Sequence, residues 1–172
     1  MDLSSFDFLP LGEDTEILPF DCNDADLNNF LFDDAKNYLS DLMAVAYFSL
    51  LNDKVSYDPE ERSLWNRINR RISNNKRRKT YPSVKIGRLA VSKDYDNKGI
   101  GRAILDFIKH AFTNGNRTGC RFITVDAYAK ATGFYIKNSF DFFTEKDRKD
   151  ETRLMFFDLK PFKDAQARAK ES

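Results

Sequence analysis

Hydrophobic and polar positions recur along this chain with a period that changes from segment to segment, and each period predicts an element. Asp14 to Phe20 reads as a short strand after a loose N-terminal stretch. Asp24 is placed to cap a helix in which Leu27, Phe30, Leu31 and Ala35 follow the i, i+3, i+4, i+8 spacing of one buried stripe. Residues 42–51, LMAVAYFSLL, are almost continuously apolar. That length and aromatic content predict a strand buried on both faces, with Asn52-Asp53 turning the chain after it. Asp58-Pro59-Glu60-Glu61 combines a capping aspartate, proline at the first helical position and acids in the first turn. The helix it opens runs to about Ser73, with Leu64, Trp65, Ile68 and Ile72 on one side.

Beyond a polar, basic loop at 73–82, strands and helices alternate. Val84 to Val91 is a strand, Gly99 to about Thr113 a helix, Arg121 to Asp126 a strand and Ala129 to Asn138 a helix. Two more strands, Phe140 to Phe143 and Leu154 to Leu159, close the set before a polar tail from about Lys163. This order predicts an α+β sandwich around a mixed sheet. At 172 residues the chain reads as a single domain, 1–172, carrying a basic helical insertion at about 58–80. Its 16 phenylalanines point to a packed core, not a disordered chain.

Composition removes several chemistries. Cys22 and Cys120 stand far apart with no CxxC spacing, and His110 is the one histidine, so a metal site lacks soft ligands. A reduced pair of thiols in a cytoplasmic protein is the reading this favours. The first residues lack a basic start followed by an apolar run, and nothing approaches the roughly 18 apolar residues of a membrane span.

The most informative segment follows the strand Val84 to Val91. Gly99 and Gly101 sit where its loop becomes a helix. Glycine allows a tight turn and close approach of a ligand to the backbone. First-turn amides have no helical partners and the helix dipole adds positive charge there, so a pyrophosphate is the natural guest. Lys98 and Arg102 add charge, while Ile100, Ile104, Phe107, Ile108, Ala111 and Phe112 give the helix a firm core face. A glycine pair alone also starts helices that bind nothing, so its surroundings decide.

Those surroundings resemble the GNAT superfamily of acyl-CoA N-acyltransferases. Leu89-Ala90-Val91 followed by Asp96-Asn97-Lys98-Gly99-Ile100-Gly101 matches the family's Leu-Ala-Val strand and its Gln/Arg-x-x-Gly-x-Gly/Ala turn, with Asp96 in place of the usual first residue. Asp96 is expected to face solvent, because a carboxylate aimed at phosphate is unfavourable. Ala131-Thr132-Gly133-Phe134-Tyr135 through Lys137-Asn138-Ser139-Phe140 resembles the family's Ala-x-x-Phe-Tyr-x-x-x-Gly-Phe segment, with Ser139 replacing glycine. The resemblance implies a GNAT-type, mostly antiparallel sheet flanked by helices and splayed at an acetyl-CoA site. Leu89, Ala90 and Val91 would line the pantetheine arm, and Lys98, Gly99, Ile100, Gly101, Arg102 and Ala103 would hold the pyrophosphate. Tyr135 would protonate the departing thiolate, with Phe134 the better core candidate of the two.

A narrower resemblance is to the acetyltransferase toxins of bacterial toxin–antitoxin pairs. Phe20-x-Cys22 before Leu27-x-x-Phe30-Leu31-x-x-x-Ala35, then Tyr81-Pro82-Ser83-Val84-Lys85-Ile86-Gly87-Arg88-Leu89-Ala90-Val91, then Val125-Asp126-Ala127 carry it. It implies acetylation of the free amine of aminoacyl-tRNA, with an antitoxin and a second copy of the chain as further partners. One strand of that subgroup has only residues 36–42 left to form it.

Charge is unevenly placed. Residues 60–79 hold eight basic and two acidic side chains, a net +6, which leaves −5 for the rest of a chain whose total is +1. Arg67, Arg70 and Arg71 share a helix face that runs into Arg77 and Arg78, a pattern suited to an RNA backbone and equally to a solvated surface. No base stands out; Glu16 and Asp126 are candidates, Arg88 is too basic to serve, and His110 reads as exposed. Neither cysteine neighbours the histidine, so a covalent acetyl-cysteine is unsupported and direct attack in a ternary complex is the reading. Two rivals stay open: an acetyltransferase of a small-molecule or protein amine, and a non-catalytic CoA- or RNA-binding module.

Overall fold

The computed structural model describes residues 9–12, 14–37, 40–43, 46–70, 72–114 and 119–171. Among the described residues seven strands form one sheet in the order β1-β2-β3-β4-β5-β7-β6. Five are substantial: β2 (Ser40–Met43), β3 (Ala46–Ser56), β4 (Thr80–Val91), β5 (Phe122–Tyr128) and β7 (Thr152–Asp158). β1 (Leu9–Pro10) and β6 (Asp141–Phe142) are two-residue edges. β1 with β2, β2 with β3, β5 with β7 and β6 with β7 all run antiparallel. Helices α1 (Ala25–Asn29), α2 (Arg62–Asn69), α3 (Ile100–Ala111), α4 (Thr132–Lys137) and α5 (Leu159–Glu171) complete this mixed, mostly antiparallel fold. Among the described residues no helix is long and apolar enough to cross a membrane, and no cluster of three metal-ligating side chains occurs.

The chain divides into two compact units. The first comprises residues up to Leu51 with Ile86–His110. Asp24 caps α1, its carboxylate accepting from the Leu27 N–H at 3.3 Å. The helix then loosens into a wider π-type turn over Phe30–Asp34 and a tight one over Ala35–Asn37. Leu31, Ala35, Tyr47 and Ala90 are buried in one cluster here, with Leu27 and Phe30 packed against it, as the stripe predicts. The Tyr47 hydroxyl donates to the Leu27 carbonyl at 2.6 Å, which fixes α1 on β3, and its burial pushes the phenol well above its ordinary pKa. α3 rests on Ile100, Ile104, Leu105 and Ile108, all essentially without exposure.

The second unit comprises Asn52–Lys85 and the chain from Ala111 onward. Its core joins Val55, Leu64, Trp65, Ile68, Ile72, Tyr81, Phe122 and Phe156. Trp65 and Tyr81 stack at 5.5 Å between ring centres, and Tyr81 meets Phe122 edge-on at 5.9 Å. The α2 stripe is thereby buried against aromatic side chains of β4 and β5.

Several boundaries differ from expectation, each for a local reason. Residues 14–20 form no strand: Pro19 cannot donate to a ladder, the edge of β2 is taken by β1, and Ile17 and Phe20 pack on the core without sheet bonds. β3 does not turn at Asn52-Asp53 but continues to Ser56, because Val55 is buried and Asp53 accepts the Thr124 hydroxyl at 2.7 Å. Residues 44 and 45 of the apolar run lie outside the described residues. The strand allowed for 36–42 is present as the four-residue β2. α2 stops at Asn69, not Ser73, since the buried Asn69 amide oxygen takes the Tyr81 hydroxyl at 2.8 Å. β4 starts early, at Thr80, and includes Pro82, whose carbonyl accepts from Arg121. The polar tail from Lys163 is instead the body of α5, held by buried Leu159 and by Phe162 against Phe157.

Candidate active site

The end of β4 delivers the chain to the glycine turn. Ala90 is buried against Tyr47, while Leu89 and Val91 on the opposite face are half-buried. The loop that follows is pinned twice to Asp21: the Lys93 amide donates to its carbonyl at 2.9 Å and the Lys93 ammonium to its carboxylate at 2.7 Å. The Lys93 ammonium, with the Asn23 and Asn28 amides, holds the Asp21 carboxyl well below the usual carboxylate range. Asp96 is exposed, as expected from its position beside the turn.

Gly99 has φ of +83°, a conformation that costs an L-residue about 1–2 kcal/mol, and space is open around the position a Cβ would take. The first helical bond runs from the Ala103 N–H to the Gly99 carbonyl at 3.1 Å. The amides of Ile100, Gly101 and Arg102 therefore precede the ladder without a helical acceptor. Buried Ile100 anchors that turn from below. Lys98 lies over the Tyr95 ring at 4.6 Å and donates to the Asp94 carbonyl at 2.8 Å, and Arg102 is exposed, 3.8 Å from Asp106. Lys98, Gly99, Ile100, Gly101, Arg102 and Ala103 thus form one amide-rich, cation-flanked turn, chemically fit to hold a diphosphate.

In the second unit, α4 presents Tyr135. Its ring is buried, edge-on to Phe134 at 5.1 Å and to Phe140 at 5.3 Å. Phe134 is only half-buried, so the expectation that it fills the core is reversed: the helix turns Tyr135 inward to meet Phe140 and leaves Phe134 at the rim. Among the described residues the Tyr135 hydroxyl has no hydrogen-bond partner. Burial pushes the phenol up to about 12, which keeps it protonated at any working pH. Ser139, where the resemblance has glycine, adopts φ of +68°, and this explains why glycine suits that position.

The base candidates fare differently. Asp126 is ion-paired with Lys85, an arrangement that ties up its carboxylate. Glu16 lies in the irregular segment before Pro19, and His110 is exposed on α3. Arg88 stacks over Phe30 at 5.1 Å, donates to the Gly87 carbonyl at 3.0 Å and sits 3.6 Å from Asp26, so its role is that of a fixed cation. Among the described residues neither cysteine forms a disulfide; Cys22 donates to Asn28 at 3.1 Å and burial raises its pKa.

The basic face separates into parts. Arg67 of α2 and Arg70, the residue that caps its C-terminal end, line one groove of the second unit, Arg67 donating to the Phe142 carbonyl at 3.3 Å. Arg77 turns back to the Ile72 carbonyl at 3.1 Å and Arg78 is exposed beside it. Arg71 lies outside the described residues. Sequence reasoning missed Asp141, Phe156 and Phe162, which share the groove with the arginines; they come from β6, β7 and α5, and no local spacing signals that meeting.

Residues 67–141 match the family model for an acetyltransferase (GNAT) domain. The chain has the GNAT fold. No curated protein sequence matches it. Solved structures do: a crystal structure described as a bacterial toxin superposes with a TM-score of 0.75 at 13% identity, over 94% of this chain and 95% of that one. The toxin AtaT complexed with acetyl-methionyl-tRNAfMet gives 0.71 at 18%, covering 92% and 96%. AtaTR bound with AcCoA gives 0.70 at 19%, covering 91% and 94%. At such identities the likeness establishes the GNAT fold, and the match spans both the glycine turn and Tyr135.

Proposed function

We propose that the protein transfers the acetyl group of acetyl-CoA to the α-amine of an aminoacyl-tRNA, by direct attack within a ternary complex. The observation that carries the donor half is the turn at Gly99–Ala103: three amides without helical acceptors at the start of a rigidly seated helix, inside a GNAT domain. Those amides, with Lys98 and Arg102, take the pyrophosphate, and the half-buried Leu89 and Val91 flank the pantetheine arm.

In the chemical step the amine nitrogen forms its bond to the thioester carbon and the carbon–sulfur bond then breaks, its electron pair leaving on sulfur. The amine loses one proton and the thiolate gains one. Tyr135 supplies the donor to sulfur, and its hydroxyl, without a hydrogen-bond partner among the described residues, is available for that hydrogen bond. Its pKa of about 12 exceeds that of an ordinary thiol near 8.5, but desolvation raises a thiol as well, which brings donor and acceptor closer in basicity. The phenol is restored by the proton that the new amide nitrogen releases. An α-amine, with a pKa near 7.7–8.0, is substantially neutral at physiological pH, so attack needs no strong base.

The acceptor half rests on the fold shared with AtaT and on the net +6 of residues 60–79, in which Arg67, Arg70, Arg71, Arg77 and Arg78 are the contacts to RNA phosphates. A toxin of this kind pairs with an antitoxin, the partner this reading assigns. The deciding experiment incubates the full chain with radiolabelled acetyl-CoA and a panel of charged tRNAs, uncharged tRNA, free amino acids and polyamines. Label in charged tRNA that base hydrolysis releases as N-acetyl amino acid is the expected result. Label only in small amines overturns the acceptor, and no label anywhere overturns the activity.

A further inference from the structure

The groove beneath α2 holds a combination that acetyl transfer does not use. It encloses about 490 Å³, within the range of roughly 300–1,000 Å³ typical of small-molecule sites. One wall is the C-terminal end of α2, with Arg67 and the capping Arg70; the others come from β6, β7 and α5, with Asp141, Phe156, Asp158 and Phe162. Four of these groups are already engaged. Arg67 is bonded to the Phe142 carbonyl and lies 6.0 Å over the Phe156 ring, and Asp158 is held by Arg121 at 2.8 Å. Phe162 packs edge-on against Phe157.

Two are not. Among the described residues neither the Arg70 guanidinium nor the Asp141 carboxylate has a side-chain hydrogen bond or ion pair, although both line this one groove. They stand at the C-terminal cap of α2 and on β6, and opposite charges that share a groove without joining leave room for a ligand bearing both an anion and hydrogen-bond donors. The apolar part of the groove's lining includes the aromatic side chains Phe156, Phe157 and Phe162, of which Phe162 is half-buried.

We infer that this groove binds a nucleoside phosphate. Arg70 takes the phosphate in a charge-assisted, two-pronged contact. The ring surface at Phe162 receives the base, as aromatic side chains do for unstacked bases. Asp141 accepts from ribose hydroxyls or an exocyclic amine. The inference deepens the RNA reading above, naming the unit of RNA that the α2 face grips as an unstacked nucleotide instead of a duplex backbone. A nucleotide free in solution presents the same chemistry.

The test measures binding, not turnover, so it fails or succeeds independently of acetyl transfer. The full chain is titrated calorimetrically with adenosine 5′-monophosphate, uridine 5′-monophosphate, adenosine, inorganic phosphate and free methionine, and then with a short single-stranded RNA. Saturable binding of a mononucleotide, stronger than that of nucleoside or phosphate alone, is expected. Arg70→Gln should weaken it at least fivefold and lower the salt dependence by about one counterion. Asp141→Asn should weaken it severalfold and alter the preference between bases. Thermal midpoints matching wild type show that both exposed substitutions leave the fold intact. Competition between RNA and mononucleotide ties the site to the RNA chain; mononucleotide binding without competition supports the groove and assigns it a free nucleotide. Absence of saturable binding, binding indifferent to both substitutions, or capture of methionine in preference to nucleotides overturns the inference.

Discussion

Tyr135→Phe separates chemistry from folding because of how the side chain sits. The ring carries the packing: it is buried between Phe134 and Phe140, and truncation to alanine would cost about 3–5 kcal/mol, a change that confounds any activity measurement. The hydroxyl carries none of it, having no hydrogen-bond partner among the described residues. Its removal leaves no orphaned group, so the stability change should stay within about 1 kcal/mol. Loss of a positioned general acid costs about 10²- to 10⁴-fold in rate, or roughly 3–5 kcal/mol of barrier. Appearance of free CoA thiol, followed at saturating acetyl-CoA, reads kcat directly, and calorimetric binding of acetyl-CoA should match wild type.

The pH profile adds a second readout. Burial raises the phenol to about 12, so the neutral, donating form persists through the alkaline range. Wild-type kcat/KM should rise through the acceptor amine's pKa near 8 and show no downturn below about pH 11. Linkage has the same sign. With the folded pKa above the unfolded value near 10, the contribution to stability is fully present below pH 10 and is lost as pH rises through 12. A Tyr135→Phe protein that retains wild-type kcat with every acceptor refutes the assignment, as does a wild-type downturn centred near pH 9.

The remaining predictions concern the scaffold. Gly99→Ala should lower stability by about 1–2 kcal/mol through its positive φ alone, since the added methyl meets nothing, and should weaken acetyl-CoA binding severalfold; unchanged affinity would detach the turn from the phosphates. Asp147→Ala strips the buried Arg153 guanidinium of its 2.6 Å partner and the Leu154 amide of its acceptor, and should cost about 3–5 kcal/mol in chemical denaturation. Tyr81→Phe removes the donor to buried Asn69 and the acceptor for the Arg78 amide; a loss of about 1–3 kcal/mol is expected, read from the fluorescence of Trp65, the chain's single tryptophan, which stacks on the same ring.

What the sequence made legible follows from how local each signal is. The Asp24 and Asp58 caps, the stripes of α1 and α2 and the glycine turn before α3 depend on residues within one or two helical turns of each other, and all are present. The errors occur where a distant partner decides. Asn52-Asp53 has turn composition, but Thr124 lies ready to bond Asp53, and the strand continues. Asp14 to Phe20 has strand composition, but the edge it needs is taken by Leu9–Pro10. The stretch from Lys163 is polar enough for a tail, yet Leu159 and Phe162 dock its first turn and the helix propagates from there.

The same distinction applies to the candidate site. The proposed donor half is legible because pyrophosphate recognition uses main-chain amides at a helix start, and a short motif specifies that geometry. Tyr135 was readable for its position but not for its burial, which depends on Phe140 and on the positive φ of Ser139 that brings the two rings together. The proposed acceptor side has no such economy. Arg70 at the end of α2 shares its groove with Asp141 on β6 and Phe162 on α5, residues of which the outermost are separated by more than half the chain. On the proposed function, recognition of an acceptor would be assembled from side chains of separate elements, whereas recognition of the donor would be built into one turn. A protein of this architecture can therefore change its acceptor by substituting exposed positions such as Arg70 and Asp141 while α3 and its turn stay fixed. Exchange of those two positions should alter the preference for acceptors without altering affinity for acetyl-CoA, a separation that parallel binding and transfer measurements resolve.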